Sequence, residues 1–209
     1  MTPFTHHTGK AVALPEANID TDQLIPARFM SRTRAEGYGL VLLHDQRHDA
    51  QGKPLADHPL NQESAEGVSI LVTGRNLGTG SSREAAVYAL ADFGIRCVVA
   101  ASFGDIFAAN AVKNGLLPAR VSAEDNRRLL DHLADHGPAE TTVDLERRQI
   151  TLGPMTIAFE IDPAWREQLL NGWDDIDLTL RHAGTIARWT ARDRANRPWS
   201  VPATPDKSG

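Results

Sequence analysis

Apolar and polar positions in the centre of the chain follow the patterns expected for strands and helices in succession. Short β-branched runs predict buried strands, and longer segments with apolar residues at a helical period predict helices. Gly94 lies where the first helix would end, and the short connection behind it suits a right-handed parallel crossover. In order, the predicted elements are strand 68–72, helix 82–93, strand 95–100, helix 105–112 and strand 116–121. This order predicts a βαβαβ core.

The flanking regions add elements of another kind. A short strand at residues 10–14 leads into two segments rich in Pro, Asn, Asp, Arg and Gly, 15–26 and 28–39, which predict loops. Residues 44–66 are polar and predict a long surface excursion. Beyond the core, the pattern predicts helix 123–134 and then a meander of strands 142–145, 149–152 and 155–161. The predicted class is α/β with added antiparallel strands.

Length and composition fit one globular domain. The chain has 209 residues, 41% of them hydrophobic and 23% charged, and we expect a domain over residues 1–193 with a mobile, proline-containing tail over 194–209. The formal net charge of -5 argues against nucleic-acid binding. The apolar runs are too short for a membrane span, and a single cysteine, Cys97, excludes an internal disulfide. We expect a cytoplasmic protein.

The candidate chemistry is concentrated in a glycine loop between the first core strand and the first core helix. Residues 74–84 read GRNLGTGSSRE, which places two hydroxyls and an arginine where a helix begins. Ser81 and Glu84 have the spacing of a capping box, so a structural role is expected as well. The loop lacks the lysine of a P-loop, the third glycine of a dinucleotide fingerprint and the flanking glycines of a hydrolase elbow. The remaining interpretation is that the N-terminus of this helix binds an anion, and a small carboxylic acid would be a suitable ligand.

Four segments resemble the sequence signatures of a known family. GSSRE at residues 80–84 resembles the signature of the swivelling domain of the aconitase superfamily, and NIDTDQLIP at 18–26 and SFGDIF at 102–107 resemble two further segments of that domain. Residues 171–180 are similar to the C-terminal segment of bacterial isopropylmalate dehydratase small subunits. The resemblance covers roughly residues 8–188. It implies an α/β fold, a swivelling β/β/α three-layer domain of the aconitase/isopropylmalate dehydratase small-subunit type.

The resemblance also implies a hydro-lyase that removes water from a hydroxy-dicarboxylate and adds it back with the hydroxyl moved. In this family the open iron of a 4Fe-4S cluster binds the substrate hydroxyl, and three cysteine thiolates hold the cluster. Cys97 alone cannot supply them, and His44 and His48 lack the glutamate of a zinc motif. The resemblance therefore implies no cofactor or metal on this chain, and a cluster-bearing large subunit as partner. The implied reaction is the interconversion of 2- and 3-isopropylmalate in leucine biosynthesis.

Residues that match the family motifs take implied roles. Ser81 matches the general base that moves the proton at the carbon next to a carboxylate. Arg83 matches the residue that stabilises the serine oxyanion and binds a substrate carboxylate, and Ser82 belongs to the same site. Asp22 matches an active-site carboxylate, although an Asx turn explains this residue equally well from the local sequence.

Substrate choice is expected to depend on the segment that follows Pro26. Met30 suits the isopropyl group, whereas homoaconitase-like relatives place arginine nearby to pair with an extra carboxylate. Arg32 and Arg34 keep that alternative open, and Arg28 completes the predicted substrate-binding set of this segment. A solvated basic loop that binds no ligand is a further reading of the same residues.

Two positions depart from the family pattern. The family usually has histidine after the signature glutamate and phenylalanine at position 77, where this chain has Ala85 and Leu77. These departures leave open a related hydro-lyase that acts on citraconate, dimethylmalate or homoaconitate. A non-catalytic anion-binding module with the same glycine loop is the alternative from another functional class.

Overall fold

The computed structural model describes residues 1–31 and 33–200. The chain forms two compact units, Met1–Gly172 and a second unit that begins at Trp173. The strands of the first unit are β1 (His6–Leu14), β2 (Val68–Thr73), β3 (Cys97–Ala100), β4 (Leu117–Arg120), β5 (Ala139–Asp144), β6 (Gln149–Leu152) and β7 (Met155–Ala158). They form one seven-stranded sheet with the order β4-β3-β2-β1-β5-β6-β7.

Helices of the first unit lie between these strands. They are α1 (Thr21–Leu24), α2 (His44–Arg47), α3 (Glu84–Phe93), α4 (Asp105–Lys113), α5 (Ala123–His136) and α6 (Pro163–Asn171). Gly94 is the C-cap of α3. Its φ of 109° is a conformation that glycine adopts without steric cost. Helix α5 begins behind Ser122, whose Oγ accepts a hydrogen bond from the Asp125 N–H at 3.0 Å. The predicted βαβαβ core is confirmed as β2-α3-β3-α4-β4, with parallel strands.

The parallel half of the sheet is buried on both faces. On β3, Val98 and Ala100 belong to one apolar core together with the buried side chains of α3. Cys97 and Val99 belong to a second core on the opposite face. Alternate residues of one strand thus fill two cores, which explains why the strands read as uninterrupted apolar runs rather than as alternating patterns.

The antiparallel half packs on the second of these cores. Val143, Ile150 and Ile157, from β5, β6 and β7, share that core with Ile70 and Cys97 of the parallel strands. Helix α5 contributes Leu129 and Leu133 to this core and packs on β1 and β2, while α3 and α4 line the core on the other face of the parallel strands. This arrangement agrees with the β/β/α layering implied by the sequence resemblance.

Strand β1 begins earlier than the sequence pattern predicts. The expected strand covered residues 10–14, but the structure extends it to His6, because residues 6–11 pair with β5 in antiparallel register. The polar side chains of this extension hide the strand from a hydrophobicity pattern. Tertiary pairing supplies the hydrogen bonds that local propensity does not predict.

The second unit is helical where the structure describes it. It contains α7 (Asp175–Leu180) and α8 (Ala183–Asn196). A capping box formed by Asp174 and Asp177 lies at the start of α7. The unit boundary at Gly172 precedes the domain end expected at residue 193, and α8 continues three residues into the expected tail. Residues 201–209 of that tail lie outside the described residues, so its mobility stays a prediction. Within the described ranges, every helix is too short or too polar to cross a membrane.

Candidate active site

Three chain segments meet at the glycine loop, residues 74–83, which connects β2 to α3. On one side, the Gly74 N–H donates to the Glu16 carbonyl at 3.1 Å and the Gly78 N–H donates to the Ile19 carbonyl at 2.7 Å. On the other side, the Leu77 N–H donates to the Ser102 carbonyl at 3.2 Å. The loop is therefore hydrogen-bonded between the segment that precedes α1 and the segment that precedes α4.

Two glycines let these segments approach closely. A Cβ atom on Gly104 would lie 2.5 Å from the Gly78 carbonyl oxygen. A Cβ atom on Gly78 would lie 2.1 Å from the ring of Phe107, and Gly78 has a φ of 75°. A side chain at either position would force its neighbours to shift, so glycine suits both Gly78 of the glycine loop and Gly104 of the SFGDIF segment.

Ser81, Asp22 and Arg83 come together at the end of this loop. The Arg83 guanidinium donates through Nη1 to the Asp22 carboxylate, and the Arg83 side chain is 20% exposed. The buried Thr21 donates from Oγ1 to the Ser81 carbonyl at 3.1 Å, which joins the start of α1 to the loop. Ser81 and Ser82 are exposed. The structure thus places the three predicted catalytic residues in one cluster at the surface.

The predicted capping box at Ser81 and Glu84 is wrong. Helix α3 begins at Glu84, with Arg83 at the N-cap position and no side-chain cap. The Glu84 carboxylate instead accepts a hydrogen bond from Asn114 Nδ2 at 3.0 Å, and Thr21 holds the Ser81 carbonyl. Tertiary partners therefore engage both ends of the expected box. The Ser81 hydroxyl is left free of a capping role.

The recognition segment, residues 27–36, contacts two other parts of the first unit. Arg28 donates from Nη1 to Asp45 Oδ2 at 2.8 Å, and this hydrogen bond is the main cause that lowers the pKa of Asp45 to about 2. Arg34 donates from Nη2 to Asp92 at 3.0 Å and lies 4.3 Å above the ring of Tyr88. Both arginines are thus paired with residues of the chain itself.

Met30 and Arg32 complete the predicted substrate-binding set. The Met30 side chain is 41% exposed. Arg32 lies outside the described residues. The structure gives no hydrogen bond or ion pair between the recognition segment and Asp22, Ser81 or Arg83 in the part of the chain it describes. The substrate-binding role of the segment is therefore still a prediction.

The cysteine and the histidines in the described part of this chain do not form a metal site. Cys97 is fully buried, and burial raises the pKa of its thiol well above the ordinary value. No group of three or more His, Cys, Asp or Glu side chains is arranged to hold a metal ion within residues 1–31 and 33–200. His44 and His48 stack with their ring centroids 4.4 Å apart. A cluster that needs three thiolates does not fit the residues of this chain.

Comparison with known proteins identifies the family. Residues 1–124 match the aconitase C-terminal domain, and residues 175–203 match the C-terminal domain of the 3-isopropylmalate dehydratase small subunit. The 3-isopropylmalate dehydratase small subunit of Shouchella clausii is 46% identical over 198 residues, which cover 93% of this chain and 98% of that protein. The chain belongs to the 3-isopropylmalate dehydratase small-subunit family.

Two further comparisons support this assignment. The 3-isopropylmalate dehydratase small subunit of Gluconacetobacter diazotrophicus is 48% identical over 203 residues, which cover 96% of this chain and 98% of that protein. The crystal structure of 3-isopropylmalate dehydratase from Methanocaldococcus jannaschii superposes with a TM-score of 0.60 at 25% identity, and the match covers 88% of this chain and 99% of that one. The predicted fold class, an aconitase-type swivelling domain, is thereby confirmed.

The two departures from the small-subunit pattern concern packing. Leu77 is 1% exposed and lies in the core that covers α3, so a leucine replaces a phenylalanine among apolar neighbours. Ala85 is partly buried against the same core. Neither residue belongs to the Asp22, Ser81 and Arg83 cluster. Both departures therefore lie in the apolar packing next to the loop.

Three polar residues of this site have no role in the sequence-based prediction. Asn18, Asn76 and Ser102 connect the three loop segments through their side chains. Asn18 and Ser102 lie within the recognised motifs, and Asn76 lies in the glycine loop. The motif resemblance was thus the available signal, but only the fold shows that these residues meet.

Proposed function

We propose that this chain is the small subunit of a heteromeric 3-isopropylmalate dehydratase that interconverts 2- and 3-isopropylmalate by dehydration and rehydration. The observation that carries the proposal is the cluster of an exposed serine, Ser81, and an arginine, Arg83, that is hydrogen-bonded to the carboxylate of Asp22. The names of the relatives describe such a small subunit. In this proposal the cluster supplies a base and a cation that binds a carboxylate, which are the groups that the reaction needs from the small subunit.

Ser81 acts in this proposal as the base that takes the proton from the carbon next to a substrate carboxylate and returns it at the neighbouring carbon. A serine hydroxyl is a poor base in water, so its oxyanion needs positive charge and a site without water. The Arg83 guanidinium and the N-terminus of α3 supply the positive charge. Because Ser81 is exposed in this chain, a partner must supply the exclusion of water.

Arg83 binds a substrate carboxylate in this proposal, and Asp22 orients it. A guanidinium carries five N–H donors in a planar fork. Nη1 donates to Asp22, and the other donors have no acceptor among the residues that the structure describes. They are therefore available for a forked pair with a carboxylate, a geometry that lysine cannot form. Ser82, exposed beside them, adds a further hydroxyl donor.

We infer that the 4Fe-4S cluster belongs to a large-subunit partner. The chain has one cysteine, and that thiol is buried in β3. When bound to its own subunit, the cluster supplies a Lewis acid for the substrate hydroxyl. Binding of one carboxylate and movement of the proton are the tasks of this chain. A single, buried thiol also suits the reducing cytoplasm, which is the location we propose.

Within the recognition segment, Met30 is the residue that supports isopropylmalate as the substrate. Asp45 and Asp92 already pair with Arg28 and Arg34, so these arginines are less available for an additional substrate carboxylate. Met30 presents an exposed apolar side chain between them in the sequence. An apolar surface favours an isopropyl group over a carboxylate.

Replacement of Ser81 by alanine in the complex reconstituted with the large subunit tests the proposed function. We expect turnover of 2-isopropylmalate to fall about 1,000-fold, because the base is lost, while the complex still assembles. Ser64→Ala, at an exposed serine of the surface excursion, is the matched control and should leave turnover unchanged. Undiminished turnover by Ser81→Ala would favour the non-catalytic anion-binding module.

A substrate panel tests the related hydro-lyases. The wild-type complex should turn over 2-isopropylmalate with a higher kcat/KM than citraconate, dimethylmalate or homoaconitate. A preference for any of the other acids would reassign the substrate while leaving the roles of Ser81 and Arg83 intact.

A further inference from the structure

Three polar side chains connect the loop segments of the candidate active site in one hydrogen-bonded network. Asn76 Nδ2 donates to Asn18 Oδ1 at 2.8 Å, and Ser102 Oγ donates to Asn76 Oδ1 at 2.8 Å. The Ser102 Oγ also accepts from the Asn76 N–H at 2.9 Å. The network therefore runs from the segment before α1, through the glycine loop, to the segment before α4.

The backbone of both asparagines is in the left-handed conformation. Asn18 and Asn76 each have a φ of 60°. Asparagine tolerates this conformation better than other residues that have a side chain. Glycine would also adopt it, but glycine has no amide to donate or accept the observed hydrogen bonds. The side chains thus explain why these turns carry asparagine.

Backbone contacts extend the geometry of the network to the cluster of Asp22, Ser81 and Arg83. The Asn18 N–H donates to the Arg75 carbonyl at 2.8 Å, and the Thr21 N–H donates to the Thr79 carbonyl at 3.0 Å. Asp22 follows the first of these segments, and Ser81 follows the second. A shift of the glycine loop relative to residues 18–21 would therefore change the separation of the carboxylate and the serine.

We propose that Asn18, Asn76 and Ser102 are positioning residues for the reaction of this family. They act by fixing the glycine loop, and through it Ser81 and Arg83, relative to Asp22; this inference rests on the proposed function. A displacement of about 1 Å in a catalytic group lowers rates up to about 100-fold.

Stability depends mainly on other residues. The buried side chains of Ile19 and Leu77 anchor the same two segments, each at 1% exposed. The hydrogen bonds of the network are exposed or only partly buried, so each contributes little to the free energy of unfolding. Loss of the network should therefore affect kcat more than it affects unfolding.

Removal and restoration of the Ser102 hydroxyl tests the inference in the complex reconstituted with the large subunit. For Ser102→Ala we expect kcat for 2-isopropylmalate to fall at least about tenfold, with KM within about twofold of the wild-type value and a decrease of a few degrees in Tm. Ser102→Thr keeps the hydroxyl and should return kcat to within about threefold of the wild type.

Ser122→Ala is the matched control for stability. It removes the hydroxyl that caps α5, which should cost a similar free energy of unfolding. Because Ser122 lies outside the three loop segments, kcat should stay at the wild-type value. A purely structural role for Ser102 predicts that the two alanine variants behave alike.

Several outcomes overturn the inference. Wild-type kcat in Ser102→Ala would do so, as would equal kcat losses in Ser102→Ala and Ser122→Ala, or failure of Ser102→Thr to recover. These results leave the proposed function standing if the wild-type complex turns over 2-isopropylmalate. If the wild-type complex does not, the proposed function fails and the catalytic role of the network fails with it.

Discussion

The glycine loop and the recognition segment are held in place by different forces. Backbone hydrogen bonds to two neighbouring segments fix the loop, and close contacts at Gly78 and Gly104 restrict it further. The recognition segment contains two short 3-10 turns, Ala27–Phe29 and Arg34–Glu36, and its Arg28–Asp45 ion pair joins side chains that are 54% and 55% exposed. Exposed ion pairs contribute little and weaken in salt. The groups proposed for chemistry are thus fixed more firmly than the segment proposed for substrate choice.

Among the variants that compare these two regions, the largest expected effect comes from Arg83, the charged residue at the end of the glycine loop. In the reconstituted complex, Arg83→Lys should lower kcat/KM for 2-isopropylmalate about 100-fold, because an ammonium group cannot form the forked pair with a carboxylate. Arg75→Lys is the control, since Arg75 is an exposed arginine in the same loop. Steady-state kinetics measure both variants. Equal activity in the two would remove Arg83 from the proposed site.

The close packing of the glycine loop should contribute to the free energy of unfolding. We expect Gly78→Ala to lower the free energy of unfolding by about 3 kcal/mol, because the new Cβ meets the Phe107 ring and the backbone has a positive φ. Gly67 has a similar φ of 73° with open space around it, so Gly67→Ala should lose only about 1 kcal/mol. Denaturant unfolding of the chain measures both. Similar losses would mean that the crowding at Phe107 is absent.

Substrate contact by the recognition segment should be a smaller effect. Met30→Ala should raise KM for 2-isopropylmalate about fivefold with little change in kcat, since it removes apolar contact with the isopropyl group. Leu40→Ala, at a leucine that is 71% exposed, provides the control for loss of surface apolar area. An unchanged KM in Met30→Ala would separate the segment from substrate choice.

The smallest effect concerns the ion pair of the recognition segment. Hydrogen bonding to Arg28 lowers the pKa of Asp45 from 3.8 to about 2, so the stability from this pair is complete above the unfolded-state pKa and is lost as the pH falls toward 2. Wild type should therefore lose more stability over that range than Asp45→Asn. Added salt should reduce the difference. Parallel pH profiles at low salt would show that the pair does not form in solution.

The sequence predicts the core, and the shared location of Asp22, Ser81 and Arg83, better than it predicts the connections between the segments. Parallel strands such as β2 are continuous apolar runs, and the GSSRE motif marks Ser81 and Arg83 as candidate site residues, whose roles stay predictions. The capping box at Ser81 and Glu84 was wrong because Asn114, distant in the sequence, engages Glu84. The network of Asn18, Asn76 and Ser102 likewise depends on three segments that meet only in the fold. Local patterns carry no record of such long-range partners.

The central claim is that this chain supplies half of an active site. Turnover of 2-isopropylmalate by the purified chain, with and without the cluster-bearing large subunit, tests it most directly. We expect no turnover by the chain alone and turnover after the large subunit is added. Full turnover by the chain alone, free of iron, would contradict it.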